Sequence, residues 1–194
     1  LEEFLPAARH DNPGVSDEDL IDYWLRVYVD TGVSMVQSSH LLAQFFLGMM
    51  YDHGEGVPQD YAAARKWYEK AAAQGHGWAL SQLGQLFADG SGVPQDYKKA
   101  REWWEQASAH GVAQAQYNLG QLYATGRGVP QDYATARSWF EKAALQGHTW
   151  AQAQLGQLYA NGRGIPQDRT AAKKWYEKAA AQGNAWAQAQ LALM

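Results

Sequence analysis

The stretch AQAQYNLGQLYATGRGVPQDYATARSWFEKAALQGH, residues 113–148, decides the fold of this 194-residue chain. Shifting the sequence by 36 positions aligns this stretch with three further copies, at 41–76, 77–112 and 149–184. Glycine, proline, aspartate and tryptophan recur at the same offsets in all four copies, here as Gly120, Pro130, Asp132 and Trp139. Self-similarity at a fixed period of this size is typical of repeat proteins, in which each unit buries its apolar face against its neighbours.

Each repeat begins with a predicted helix, helix A, which in the third copy runs from about Ala113 to Ala124. Apolar residues recur along it at the spacing of one helical face. Gly120 lies in mid-helix, where it costs about 1 kcal/mol relative to alanine, and we expect it to permit the close approach of a neighbouring helix. Thr125-Gly126-Arg127-Gly128 then ends helix A, because glycine accepts the positive φ that follows a helix C-terminus.

A second predicted helix, helix B, follows from Tyr133 to Gln146. Pro130 fixes an extended approach, and Asp132 is a good N-cap because its carboxylate accepts hydrogen bonds from the free amides of the first turn. Gly147 ends helix B. A lone pair of such helices cannot bury both of its apolar faces, so the four copies predict a stack of helix pairs, an all-α solenoid.

These motifs resemble the Sel1-like repeat family, whose members are related to the tetratricopeptide repeats. The matching residues are Leu119-Gly120 and Tyr123 in helix A, the turn from Gly126 to Asp132, and helix B from Ala136 to Gly147. The match covers residues 41–184. The resemblance implies a right-handed α/α superhelix (solenoid) of tandem antiparallel helix pairs. It also implies a protein-binding adaptor or regulator, in many cases bacterial, rather than an enzyme.

Residues 1–40 lie outside the repeats, and we interpret them as an N-terminal helical cap. Ser16-Asp17-Glu18-Asp19 resembles a capping box ahead of an apolar helix, which would cover the open end of the first repeat. The alternative is that this acidic segment, with a formal charge of -6, binds another molecule. Residues 185–194 begin a partial fifth repeat and stop inside its helix A. The four repeats carry -1, -1, +1 and +3, so the charge rises along the chain.

Several kinds of site are not predicted. The chain has no cysteine, which excludes disulfides and thiolate metal sites, and no two of its six histidines have the i, i+4 spacing of a helical zinc motif. The Gly-x-Gly turn follows a helix and lacks the Gly-Lys-Ser/Thr ending of a phosphate-binding loop. No residue breaks the repeat in a way that suggests catalysis. The sequence therefore predicts no catalytic residue, no metal and no cofactor.

Membrane spans and nucleic acid are also not expected. No segment approaches the roughly 18 consecutive apolar residues of a membrane helix. Even the most basic repeat is modestly charged beside a nucleic-acid-binding stripe. The chain begins at Leu1 and shows no signal-peptide pattern, which is expected either of a chain whose signal peptide was removed or of a fragment of a longer chain. Removal of a signal peptide would place a bacterial protein in the periplasm, which we favour slightly over the cytoplasm.

The titratable residues of helix B receive structural interpretations. His76, His110 and His148 lie at or near the ends of helix B, where we expect them to suit the local carbonyls. Glutamates recur on helix B beside Lys or Arg and predict exposed i, i+3 pairs such as Lys66/Glu69.

The candidate partner site consists of helix A positions that vary among the repeats and lie opposite the apolar stripe. By resemblance to tetratricopeptide arrays, this side lines a concave groove, and its aromatic and amide side chains suit recognition. The residues are Trp78, Ser81, Gln85, Gln114, Tyr117, Gln121, Trp150, Gln157 and Trp186. The alternative is that each tryptophan packs on the preceding helix B.

Two arginines at the turns between helix A and helix B complete the candidate site. Arg127 and Arg163 align with Glu55 and Ser91, so this turn position passes from acidic to basic along the chain. We include both arginines as partner-binding residues, and the alternative is that they are solvated loop tips.

The leading hypothesis is a module that binds a helix, loop or peptide of another protein in the groove. A narrower hypothesis is a bacterial immunity protein that inhibits a toxin or effector. The alternatives are an enzyme such as a hydrolase, and a self-assembling scaffold whose acidic N-terminal end and basic C-terminal end meet head to tail.

Overall fold

A computed structural model describes residues 36–194, and every regular element in this part of the chain is an α-helix. The helices are α1 (Val36–His53), α2 (Tyr61–Ala73), α3 (Gly77–Asp89), α4 (Tyr97–Ala109), α5 (Ala113–Thr125), α6 (Tyr133–Leu145), α7 (Thr149–Asn161), α8 (Arg169–Ala181) and α9 (Ala185–Ala192). Odd-numbered helices are the predicted A helices and even-numbered ones the predicted B helices. The all-α fold of tandem helix pairs is confirmed.

The predicted boundaries can be compared with the observed helices only from residue 36 onward. Residues 1–35, which hold most of the predicted cap, lie outside the described part. Helix α1 begins at Val36, so helix A of the first repeat starts ahead of the predicted boundary at Leu41. At the other end, α9 lies in the segment predicted as a partial fifth repeat.

Aspartate N-caps start all four B helices, as the sequence predicts. Asp132 accepts hydrogen bonds on Oδ1 from the backbone N–H of Ala134 at 2.9 Å and of Thr135 at 3.2 Å. The A helices α3, α5 and α7 end on a left-handed glycine; Gly126 has φ of +73° and its N–H donates to the Leu122 carbonyl. These caps satisfy backbone groups that a helix leaves free at its ends.

The mid-helix glycine of helix A lies against the aromatic ring of helix B in the same repeat. A Cβ atom on Gly120 would lie 2.5 Å from the ring of Phe140, which is fully buried. Gly156 meets Tyr176 in the same way in the fourth repeat. The predicted close approach is confirmed, and its partner is a ring rather than a backbone.

The described residues form two compact units, divided between Gln95 and Asp96, and each is described by itself. The core of the first unit includes Leu47, Met50, Val57 and Trp67. The core of the second unit is built largely from alanine and leucine around three bulky side chains, namely Phe140, Leu155 and Tyr176. Small residues let the helices approach closely, which is why each helix pair packs along its length.

A buried glutamine of helix A bonds to the glutamine at the end of helix B in the same repeat, a contact that the sequence pattern did not predict. Gln146 donates from Nε2 to Oε1 of Gln116 at 2.8 Å, and Gln182 donates to Gln152 at 2.7 Å. Gln152 also reaches the Ala144 carbonyl of the preceding helix B at 3.3 Å. These hydrogen bonds satisfy the buried side-chain amides of Gln116 and Gln152, which would destabilise the fold if they had no partner.

The predicted i, i+3 ion pairs on helix B are wrong. Glu69 pairs instead with Arg65 at 3.6 Å, and Glu141 pairs with Arg137 at 3.5 Å, both at i, i+4 spacing. The i, i+4 geometry places the two side chains almost above one another on the helix surface. Each pair remains substantially exposed, so each contributes only a few tenths of a kcal/mol.

Candidate protein-binding surface

Three of the predicted site residues form two hydrogen-bonded pairs on α5. Gln121 donates from Nε2 to the hydroxyl of Tyr117 at 2.7 Å, and Gln114 donates to Oδ1 of Asn118 at 2.9 Å. The side chains are half-buried. Helical spacing therefore places these residues together, and the hydrogen bonds fix their orientations.

His148 connects this group to the next repeat. As the N-cap of α7, it accepts the backbone N–H of Ala151 on Nδ1 at 3.2 Å. Its ring stacks on that of Tyr117, with centroids 4.7 Å apart and planes 22° apart. Because Nδ1 is the acceptor, the proton of the neutral ring lies on Nε2, which donates to Oε1 of Gln114 at 3.1 Å.

Burial keeps both rings of this stack neutral at ordinary pH. It lowers the pKa of His148 and raises the pKa of Tyr117, because both charged forms lose solvation. A neutral imidazole is also what the N-cap requires, since a protonated Nδ1 could not accept the Ala151 N–H. We call the residues Gln114, Tyr117, Gln121, His148 and Trp150 the His148 surface.

The role expected for His148 and His76 was wrong. Both cap the A helix that follows them rather than the carbonyls of the preceding helix B, and His76 accepts the Ala79 N–H at 3.2 Å. Each histidine lies 31 residues after an aromatic residue of the preceding helix A, Phe45 or Tyr117. The two pairs lie two repeat lengths apart in the sequence, and this recurrence is the signal from which they could have been predicted.

Trp150 and Trp186 line one groove of about 610 Å³ between two successive turns that lead from helix B into helix A. The groove residues are Gly147, His148, Thr149, Trp150, Gln182, Gly183, Asn184, Ala185 and Trp186. Trp150 is 53% exposed. Trp186 is half-buried and meets Tyr176 of the preceding helix B edge-on at 5.6 Å. The packing alternative thus holds for Trp186, whereas Trp150 remains open to a partner.

Ser81 was wrongly expected on an accessible face, because it is only 2% exposed. The equivalent residue of the fourth repeat, Ala153, is fully buried as well. This helix A position faces the packed interior of the repeat, so a small side chain there is covered. Phe45 and Tyr117 reach the surface from the same position because their rings are large.

The other predicted residues do not join the His148 surface. In the first unit Trp78 is 54% exposed, and Gln85 donates to Asp89 at 2.8 Å. Gln157 is half-buried on α7. Arg127 and Arg163 lie exposed at turn tips, with their guanidinium carbons above the rings of Tyr97 and Tyr133.

An acidic residue breaks the repeat in α1, where Asp52 replaces an alanine found at this position in the other repeats. The hydroxyl of Tyr68 donates to its Oδ2 at 3.0 Å. Burial and the nearby carboxylate raise the pKa of Tyr68, which is fully buried. This pair joins α1 to α2 and offers no accessible nucleophile.

Residues 36–194 lack two features that would indicate other kinds of site. No three His, Asp or Glu side chains in this part of the chain lie close enough together to hold a metal ion. None of the described helices has both the length and the apolar character needed to span a bilayer.

Comparison with known proteins identifies the repeat. The Sel1 repeat profile matches residues 41–76, 79–112, 113–148 and 151–184. A search of curated proteins finds no match.

Two solved structures are similar over most of the chain. One is a protective antigen present in uropathogenic Escherichia coli strains, which displays an SLR fold. It is 32% identical to this chain with a TM-score of 0.79, and the match covers 98% of this chain and 43% of the antigen. A Sel1 repeat protein from Oxalobacter formigenes is 38% identical with a TM-score of 0.73, over 92% of this chain and 50% of that protein. The chain therefore spans about half the length of these relatives.

Sel1 repeat proteins act as protein-interaction modules. The family is in general a non-enzymatic scaffold. With four matched repeats and the solenoid fold of its structural relatives, the chain belongs to the Sel1 repeat family.

Proposed function

We propose that this chain binds a partner protein through the His148 surface of the second unit. The observation that carries the proposal is the hydrogen-bonded and stacked group formed by Gln121, Tyr117, His148 and Gln114 beside the exposed ring of Trp150. Tryptophan and tyrosine supply much of the binding energy at protein interfaces.

Preorganisation supports the choice of this surface. Immobilising a flexible side chain on binding makes the binding free energy less favourable by about 0.5–1.5 kcal/mol. The amides of Gln114 and Gln121 are already held by Asn118, His148 and Tyr117. A partner that meets them therefore orders fewer groups than it would on a surface of free side chains.

The glutamines keep hydrogen-bonding capacity for a partner. Gln121 uses one amide N–H on Tyr117, and within the described residues its side-chain oxygen, Oε1, accepts no hydrogen bond. That oxygen can accept a backbone or side-chain N–H from a bound segment. The combination of a large ring and adaptable amides fits a helix or peptide that presents both apolar and polar groups.

The test replaces the polar residues of α5 by their counterparts on α1, Leu42, Phe45 and Met49. The variant Gln114→Leu/Tyr117→Phe/Gln121→Met keeps side-chain size while removing the hydrogen bonds. Wild type and variant are used as baits for affinity purification from the native organism, and captured proteins are then titrated in purified form. We expect the variant to bind its partner at least about tenfold more weakly, because an unpaired polar group at an interface costs on the order of 1–3 kcal/mol.

Gln85→Met on α3 serves as the matched control, because it makes the same kind of change outside the His148 surface. The melting temperature of each variant verifies folding. If the folded triple variant captures and binds the same proteins as wild type, the His148 surface is not the binding site.

Two narrower hypotheses stay predictions within this proposal. Inhibition of a toxin or effector is tested by adding the purified chain to the captured partner and measuring the partner's activity. Head-to-tail self-association is tested by sedimentation at low and high salt, since contact between acidic and basic ends weakens as salt screens the charges.

A further inference from the structure

The second unit has more positive than negative side chains, and most of its carboxylates are already engaged. It contains eleven Lys and Arg residues and seven Asp and Glu residues. Three carboxylates cap helices, namely Asp96, Asp132 and Asp168. Three others form ion pairs along helix B, namely Glu105, Glu141 and Glu177. Arg127 and Arg163 are among the cations that take no part in these ion pairs.

Two of these cations occupy equivalent turn tips in the third and fourth repeats. The guanidinium carbon of Arg127 lies 5.8 Å from the ring centroid of Tyr97, and that of Arg163 lies 5.6 Å from the centroid of Tyr133. Within the described residues, neither guanidinium has a carboxylate partner. Stacking on a ring holds a guanidinium in place while its N–H groups remain available at its edge.

The turns that carry these arginines are fixed by the fold. The Arg127 N–H donates to the Leu122 carbonyl at 3.2 Å, and the Arg163 N–H donates to the Leu158 carbonyl at 3.1 Å. The following glycine rests directly on the tyrosine: a Cβ on Gly128 would lie 2.6 Å from Cβ of Tyr97. Each arginine therefore extends from a fixed backbone position, which lowers the ordering cost of binding.

We propose that Arg127 and Arg163 form a cationic ridge that binds an acidic segment of the partner protein, with a carboxylate on each guanidinium. The inference rests on the proposed function and adds the charge of the partner to it. Arginine is suited to this role because its planar group can donate two parallel hydrogen bonds to one carboxylate.

The equivalent turns of the first unit differ in charge. They carry Glu55 and Ser91, so an acidic segment would meet a like charge at the first turn and no charge at the second. Like charges at an interface are repulsive and suppress binding in the wrong position. The ridge thus directs an acidic segment to the second unit.

The experiment uses the whole chain and a short fluorescein-labelled peptide of alternating Glu and Ser as the probe, with a Lys/Ser peptide for comparison. Fluorescence anisotropy gives the dissociation constants for wild type and for Arg127→Gln/Arg163→Gln. The control is Lys142→Gln/Lys178→Gln, which removes the same charge from cations that lie over Trp139 and Trp175 on helix B. We expect the ridge variant to bind the acidic peptide about tenfold more weakly and the control to change less than about twofold.

Equal weakening in both variants would show a response to net charge alone and overturn the proposal, as would the absence of acidic-peptide binding to wild type. Arg127→Lys/Arg163→Lys provides a second measurement, because it keeps the charge and removes the planar group; we expect an intermediate affinity. Gln114→Leu/Tyr117→Phe/Gln121→Met is expected to bind the acidic peptide normally. Failure of the ridge and failure of the His148 surface are thereby distinguishable.

Discussion

The first and third repeats contain the same aromatic–histidine pair in two different settings. Phe45 lies 4.5 Å from His76 in the first unit, and Tyr117 lies 4.7 Å from His148 in the second. Both histidines cap the next helix A with the same 3.2 Å bond to Nδ1. The shared geometry shows that the pair belongs to the scaffold.

The groups around the pair differ in polarity. At the three helix A positions concerned, the first repeat has the apolar residues Leu42, Phe45 and Met49. The third repeat has the hydrogen-bonding residues Gln114, Tyr117 and Gln121 at the same positions. In the third repeat the polar groups also bond to one another and to His148. The comparison therefore separates what the stack requires from what is available for recognition.

The largest effect is expected from breaking the part of the scaffold that the two repeats share. Gly48→Leu and Gly120→Leu each force a side chain into the ring of the facing helix B, and we expect each to destabilise its unit by about 3 kcal/mol. Denaturant unfolding followed by circular dichroism measures the change. Gly147→Ala is the control: its site is open but has φ of +86°, so about 1 kcal/mol is expected. A Gly120→Leu variant as stable as the control would contradict the packing assigned to Gly120.

Replacing each histidine by valine separates stability from recognition. Valine is the natural residue at the third-repeat N-cap, where Val112 forms no side-chain cap. His76→Val and His148→Val are each expected to cost about 1 kcal/mol through loss of the cap. His148→Val is further expected to weaken partner binding about tenfold, because Tyr117 and Gln114 lose their contacts. Equal partner binding by the two variants, measured by titration with the captured partner, would show that His148 is not part of the binding surface.

Acid is expected to destabilise both pairs in the same direction. Burial lowers the pKa of His76 and His148 below the ordinary value of 6.5, so the unfolded chain takes up protons first as the pH falls. Their contribution to stability is therefore complete above about pH 7 and is lost as the pH falls through 6.5 toward the lower folded-state value. We expect the melting temperature to drop by a few °C between pH 7.5 and 5.5 on this account.

Asparagine provides the control for the acid effect. Asn184 is the N-cap of α9 and accepts the Ala187 N–H at 2.8 Å without titrating in this range. His76→Asn/His148→Asn is expected to remove this part of the acid sensitivity. A pH dependence that is unchanged in the double variant would exclude the two caps as its source.

The smallest effect concerns the ion pairs that both units share on helix B. Glu69→Gln and Glu141→Gln each remove an exposed i, i+4 pair with arginine. We expect a loss of only a few tenths of a kcal/mol in each, screened further by salt. Denaturant unfolding at low and high salt measures it, and a loss above about 1 kcal/mol would mean that these pairs are more than surface contacts.

The local features of the repeat were predictable from the sequence. The Asp132 N-cap and the glycine turn at Gly126 are confirmed because each depends on residues within a few positions of one another. The period is confirmed by the four matched repeats. The grouping of Gln114 and Tyr117 on one face was also predictable, since helical periodicity alone places them there.

Contacts between residues far apart in sequence were not predictable in this way. His148 lies 31 residues from Tyr117 in sequence, and only the folded helix pair brings the two rings into contact. The same dependence explains why Ser81 is buried and why Trp186 is partly covered by Tyr176 while Trp150 is exposed.

The sequence by itself thus determined the repeat, its two helices and their caps, because these rest on short-range hydrogen bonds and periodicity. Only the tertiary structure decided which of the varying side chains are accessible and which are joined into one surface. Burial depends on the residue that a neighbouring repeat places opposite each position, and a single helix pair does not contain that information.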